Sequence, residues 1–129
     1  MKELTVLLDT NFMLVCVKQK IDFLEDIKLL GMKIIIPKQI INELKLILNS
    51  KKKLHFRKDV EVVLKILEKN KNSFREINLS KYGKNTDKRI KKFSDENKNI
   101  IVATLDKKLK NKIKNKKMVI RGKKNLEII

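Results

Sequence analysis

Near the start of the chain, Leu4-Thr5-Val6-Leu7-Leu8-Asp9-Thr10-Asn11 carries a nearly unbroken apolar run straight into an acid and two small polar side chains. A short apolar run ended by a polar break is the pattern of a strand buried on both faces of a parallel sheet. Open parallel sheets bind ligands just beyond the carboxyl ends of their strands. Asp9 is therefore expected at that edge, fixed by a buried strand and open to solvent.

Working outward, Phe23, Ile27 and Leu30 recur at helical spacing, so a helix, whole or broken, is expected from Asn11 to Leu30, stopped by Gly31. Met32-Lys33-Ile34-Ile35-Ile36 reads as a second buried strand, rich in β-branched residues. Pro37 suits the first turn of the next helix, whose stripe is Ile40, Ile41, Leu44, Ile47 and Leu48. Glu43 falls at the border of that stripe, about 100° from its centre. Ser50-Lys51-Lys52-Lys53 is a polar connection, and a long helix follows with Phe56, Val60, Val63 and Leu67 on one face and His55 off it. Phe74–Leu79 is a short third strand, Ser80–Thr86 a loop, and Asp87 opens a helix to about Asn97 anchored by Ile90 and Phe93. Ile100-Ile101-Val102-Ala103 is a strand ending at Thr104-Leu105-Asp106, much as the first ends at Asp9. A basic helix from Lys107 to Lys117 and a strand Met118–Ile120 follow; Leu126–Ile129 is a further edge strand or a packed tail. Alternating strands and helices predict one domain over residues 1–129, a three-layer α/β/α sandwich around a mainly parallel sheet of about five strands.

The 129 residues suffice for one domain with a real core and are too few for two. No apolar run approaches the length of a membrane span and no signal peptide is evident, so no membrane partner and a cytoplasmic location are expected. Cys16, the single cysteine, lies in an apolar run and reads as a small buried side chain. The formal charge is +18, which points to a polyanionic partner, with nucleic acid ahead of a membrane surface. Lys, Ile and Asn abound and Ala103 is the only alanine, so part of this charge is general compositional bias.

Four acids stand out among fifteen. Asp9 and Asp106 each follow an apolar strand, Asp87 sits at a loop-to-helix start, and Glu43 lies in the second turn of a helix beginning at the same edge. Asp87 and Asp106 also have an ordinary role, since acids favour helix starts. If the four converge they repel, and they need protons or a cation between them. Such hard oxygen ligands suit Mg²⁺ or Mn²⁺, whereas one His and one Cys make zinc a poor fit. A divalent ion on a strongly basic protein suggests phosphodiester hydrolysis.

Leu7-Leu8-Asp9-Thr10-Asn11, Ile41-Asn42-Glu43-Leu44, Asn85-Thr86-Asp87 and Ala103-Thr104-Leu105-Asp106-Lys107-Lys108-Leu109 resemble, in order, the acidic motifs of the PIN-domain nucleases. The resemblance implies a Mg²⁺- or Mn²⁺-dependent endoribonuclease in which Asp9, Glu43, Asp87 and Asp106 hold metal and activate water. Thr10, Asn11 and Thr104 would orient them through hydroxyl or amide hydrogen bonds. Val119-Ile120-Arg121-Gly122-Lys123-Lys124 is similar to the basic ending of archaeal PIN proteins related to a ribosomal-RNA processing nuclease, while VapC toxins share the same core. RNA is thus the expected partner, with an antitoxin, a pre-ribosomal particle or a second copy of the chain as further ones.

Lys107, Lys108 and Lys110 beside Asp106, with Arg121, Lys123 and Lys124 after the last strand, are the expected RNA contacts. Tyr82, the only tyrosine, either stacks a base or packs locally. His55 has no Ser, Cys or second His to act with and reads as a surface group. A haloacid-dehalogenase-like phosphatase needs an acid where Asn11 stands, and nucleotide-binding domains need a glycine-rich turn that three scattered glycines do not make. The rival to a nuclease is a non-catalytic RNA-binding or ribosome-assembly module on the same fold.

Overall fold

The computed structural model describes residues 4–51 and 54–129, the side chains of Leu54 and His55 excepted. The chain runs β1 (Thr5–Leu8), α1 (Thr10–Lys18), α2 (Phe23–Leu29), β2 (Lys33–Pro37), α3 (Lys38–Leu48), α4 (Leu54–Lys69) and β3 (Arg75–Ile77). It continues through α5 (Thr86–Glu96), β4 (Ile100–Ala103), α6 (Lys107–Lys112), β5 (Lys117–Arg121) and β6 (Asn125–Ile128). The strands form one sheet in the order β3-β2-β1-β4-β5-β6, parallel except for the β5–β6 hairpin.

Burial explains which segments became central strands. Val6, Leu7 and Leu8, with Ile34, Ile35 and Ile36 on one side and Ile101, Val102 and Ala103 on the other, are all buried. Right-handed crossovers put α1–α4 on one face and α5 and α6 on the other; accordingly α4 packs on α1 and α3, and α5 on α6. From β1 the chain steps outward to β2 and β3, then returns past β1 to β4. The step reverses between β1 and β4, where doubly wound sheets open a crevice. Leu8 pairs with Ala103 there, so both strands end at one level.

Several sequence expectations shift in detail. The first helical stretch is two helices, because Lys20 adopts a left-handed conformation and Asp22 caps a new start. Gly31, at φ +78, closes α2 as a left-handed C-terminal residue. Pro37 ends β2 and flanks α3 without entering it. The third strand keeps only Arg75–Ile77, and the expected loop contains a 3-10 turn at Ser80–Tyr82. The tail is a sixth strand, bonded to β5 along Met118–Arg121.

The basic helix is a larger correction: it ends at Lys112, five residues before Lys117. Ile113 turns extended and is buried, and the Asn115 side-chain amide donates to the carbonyls of Asn97 and Ile100, both at 2.9 Å. These two anchors require extended chain, so Lys114 and Lys116 lie in a link and Lys117 begins β5. Lys52 and Lys53 of the polar connection, and the side chain of His55, lie outside the described residues. Cys16 is buried as expected, and burial pushes its thiol up to about 12. Among the described residues no helix is long and apolar enough to cross a membrane.

The sheet centre should carry the stability. Leu7→Ala, at a fully buried site in β1, is expected to cost about 2–5 kcal/mol. Leu46→Ala on α3, where the side chain is 72% exposed, should stay within about 0.5 kcal/mol. Urea denaturation midpoints at equal slope would check both.

Candidate active site

Asp9 lies one residue beyond β1, and its N–H donates to the Ala103 carbonyl at 3.0 Å, continuing the sheet ladder. This bond locks the residue to the end of β4. The residue is only 6% exposed, so it is buried at the edge and not, as the sequence predicts, open to solvent, and its side chain caps α1. Oδ1 accepts from the Thr10 N–H at 2.8 Å and Oδ2 from the Thr104 hydroxyl at 2.8 Å. Burial pushes the carboxyl up from its ordinary 3.8 to about 6, against the lowering effect of those two hydrogen bonds. The charges of Asp87 and Glu43 add to the rise, so both acids act electrostatically on Asp9.

Thr104 joins the two strand ends. Fully buried, its hydroxyl donates to Asp9 and accepts from the Asp106 N–H at 3.2 Å. Asp106 caps α6: Oδ1 accepts from the N–H groups of Lys108 at 2.9 Å and Leu109 at 3.3 Å. Among the described residues, Oδ2 accepts no hydrogen bond.

Glu43 and Asp87 come from the other side. Glu43 sits half-buried in the second turn of α3, and its Oε2 accepts from the Thr86 hydroxyl at 3.1 Å. That bond ties α3 to the start of α5. Asp87 is not the opening residue of its helix: Asn85 caps it, accepting from the Lys88 N–H at 2.9 Å, and Thr86 comes first. Helix capping is thus taken by another residue, while Asp87 keeps the place in the first turn where the macrodipole favours an acid. Its exposed carboxylate has no hydrogen bond or ion pair among the described residues.

The supporting residues divide. Thr104 orients Asp9 through its hydroxyl, whereas Thr10 does so through its N–H, and its own hydroxyl is buried with no hydrogen-bond partner. Asn11 is exposed on α1, with no hydrogen bond to the acids among the described residues. Thr86 was not singled out by sequence, because its partner lies 43 positions away. Its place beside Asp87 in a family-like motif was the only signal.

The basic groups flank the same edge. Lys107 and Lys108 are exposed in the first turn of α6, followed by half-buried Lys110. Cations there oppose the helix macrodipole, so helix stability does not explain them. Met118 is level with Ala103, so Arg121 and the turn holding Lys123 and Lys124 project about 10 Å further at ~3.3 Å per residue. Arg121 pairs with Glu127 across the hairpin at 3.4 Å. Tyr82 packs locally, its ring edge-on to Phe93 with centroids 5.3 Å apart and the Lys81 ammonium 5.1 Å from its own centroid.

Among the described residues, no three Asp, Glu, His or Cys side chains already close on one point as a metal shell would. The donors are nonetheless hard oxygens of the kind Mg²⁺ and Mn²⁺ prefer. Asp9, pressed by burial and by two neighbouring acids, is where a cation would relieve most strain. In donor chemistry the residues fit a divalent ion.

Solved structures share this architecture. The PIN domain endonuclease Utp24 is 24% identical, with a TM-score of 0.76 over 96% of this chain and 90% of that one. VapBC2 from Rickettsia felis, solved bound to a DNA fragment from its promoter, is 18% identical, with a TM-score of 0.59 over 91% of this chain and 99% of that one. No curated protein matches the chain by sequence. The family model described as PIN like domain matches residues 6–123, nearly the full length, and the chain belongs to that family.

Proposed function

We propose that the protein is a divalent-metal-dependent endoribonuclease that hydrolyses RNA phosphodiester bonds at the β1–β4 crevice. One observation carries the reading: a buried carboxylate, Asp9, is kept at the sheet edge next to two further acids at a cost to the fold. A module that only bound RNA would have no use for a buried negative charge there.

Asp9, Glu43, Asp87 and the unused Oδ2 of Asp106 would hold Mg²⁺ or Mn²⁺. The ion, when bound, polarises water and offsets charge on the reacting phosphate oxygens. The chain supplies the geometry. Thr104 and the Thr10 N–H fix the two oxygens of Asp9, and Thr86 fixes Glu43. Lys107, Lys108, Lys110, Arg121, Lys123 and Lys124 would hold the RNA backbone. Lysine offers a point charge with little base discrimination, so target choice comes from RNA shape or a partner. Two settings suit this activity, RNA processing with a pre-ribosomal particle and a VapC-type toxin held by an antitoxin. Growth arrest on expression, relieved by a small neighbouring gene product, would mark the second. A homodimer would draw on α2, where Leu29 is 76% exposed and Leu30 is also exposed.

Asp9→Asn is expected to abolish Mn²⁺-dependent cleavage of structured RNA while RNA affinity and fold persist; unchanged cleavage would place the activity elsewhere. The same variant tests the stability cost. At pH below about 4, Asp9 is protonated in folded and unfolded chains alike. Between about 4 and 6 only the folded chain keeps the proton, and above about 6 the buried charge costs about 3 kcal/mol. Stability therefore falls as pH rises through that window. Without added metal, Asp9→Asn should stabilise the protein at pH 8 by up to about 3 kcal/mol, with the gain vanishing near pH 4. Saturating Mn²⁺ should raise the melting temperature of the unaltered protein and leave that of Asp9→Asn nearly unmoved. Thr104→Val removes a hydrogen bond that favours the ionised form, so an NMR titration in EDTA should find Asp9 titrating above about 6.

A further inference from the structure

On the face carrying α5, two shallow grooves adjoin. One, about 450 Å³, is lined by Gly83, Lys84, Lys88, Lys91, Lys92 and Asp95, beside Tyr82. The other, about 360 Å³, is lined by Lys91, Asp95, Lys98, Lys114 and Asn115. Lys91 and Asp95 line both, so the two grooves lie side by side along α5 and together make the trough considered below. It starts at Tyr82 and Gly83, ahead of Asp87, and follows α5, whose 11 residues span about 16 Å, toward the amino edge of the sheet.

Six lysines line this trough against one acid, whereas the whole chain has 33 bases against 15 acids. Seven charged groups at the chain's own ratio would include about five bases, so the placement of these lysines, not their share, sets the trough apart. Asp95 pairs with Lys91, and Lys84, Lys88, Lys92, Lys98 and Lys114 have no acidic partner among the described residues. Lys88, Lys91 and Lys92 fall on one helix stripe, and like charges spaced by three or four residues destabilise a free helix. A polyanion would turn that repulsion into attraction. The trough is also pre-shaped. Arg89 Nε donates to the Gly83 carbonyl at 3.0 Å, pinning the loop to α5. Gly83 has φ +150, and a Cβ there would meet the Lys88 Cβ at 3.1 Å, so only glycine leaves this end open. The Tyr82 ring is engaged by Phe93 and Lys81, which favours backbone contact over base stacking.

We propose that the α5 trough is a sequence-independent track for the sugar-phosphate backbone of the RNA that flanks the bond presented at the acid edge. Apart from Lys114, in the link after α6, its lysines are not those of α6 or the hairpin, and it rests on the nuclease reading above.

The test compares two triple variants that lose the same charge. Lys92→Gln/Lys98→Gln/Lys114→Gln alters exposed trough positions; Lys18→Gln/Lys45→Gln/Lys69→Gln alters exposed positions elsewhere. In an Asp9→Asn background with Mg²⁺, binding of a labelled oligouridylate of about 20 nucleotides is followed by anisotropy across a salt series. The trough variant should lose about tenfold in affinity, and its salt slope should shallow by about 2, at ~0.7 per phosphate. The control variant should lose less than twofold. With Asp9 intact, the trough variant should raise KM on long RNA and keep kcat. Equal losses in both variants would overturn the track and leave the nuclease reading standing. Absence of RNA cleavage by the unaltered protein would sink both.

Discussion

Ionising a carboxyl group at the buried end of a central strand is unfavourable unless donors or a cation meet it, and the acid edge is organised around that constraint at Asp9. The ladder bond to Ala103 fixes the backbone, while the Thr10 N–H and Thr104 hydroxyl fix the two oxygens. Neither donor carries a full charge, so burial still dominates and the group sits near pH 6. Glu43 and Asp87 deepen the imbalance. On the proposed nuclease reading, stability and function pull in opposite directions at this position. Thr104 makes the arrangement cooperative, because one hydroxyl serves both Asp9 and the backbone of Asp106.

Much of the fold was legible because its central strands are buried on both faces. Val6–Leu8, Ile34–Ile36 and Ile101–Ala103 stand in sequence as unbroken apolar runs, and the sheet places them side by side. Legibility fell where tertiary contacts decide local structure. The lysine-rich stretch after Asp106 has ordinary helix propensity throughout, yet Asn115 holds the carbonyls of Asn97 and Ile100, and that demand ends α6 early. The last strand, Asn125–Ile128, has too few residues for periodicity to separate it from a packed tail.

The candidate site divides the same way. Asp9 and Asp106 were readable because each follows a recognisable strand. The link between Glu43 and Thr86 was not, since it joins helices separated by α4 and β3 and is set by how they pack. Sequence position also gave Asp87 the capping role that Asn85 performs, a two-residue ambiguity that only side-chain direction resolves. Thr10 shows the limit of residue type as a guide: a hydroxyl was expected to orient the acids, and the backbone N–H beside it does so.

The sheet's outer margins carry a further consequence. β3 is only three residues long and presents Arg75 and Glu76, and β6 alternates exposed Asn125 and Glu127 with half-buried Leu126 and Ile128. Brevity on one margin and polar side chains on the other deny an incoming strand a long, flat, greasy template. A molecule built around an all-parallel interior would otherwise risk polymerising through its rims at the concentrations reached in a cell. Here the chain's own ends of the sheet act as terminators against amyloid-like growth.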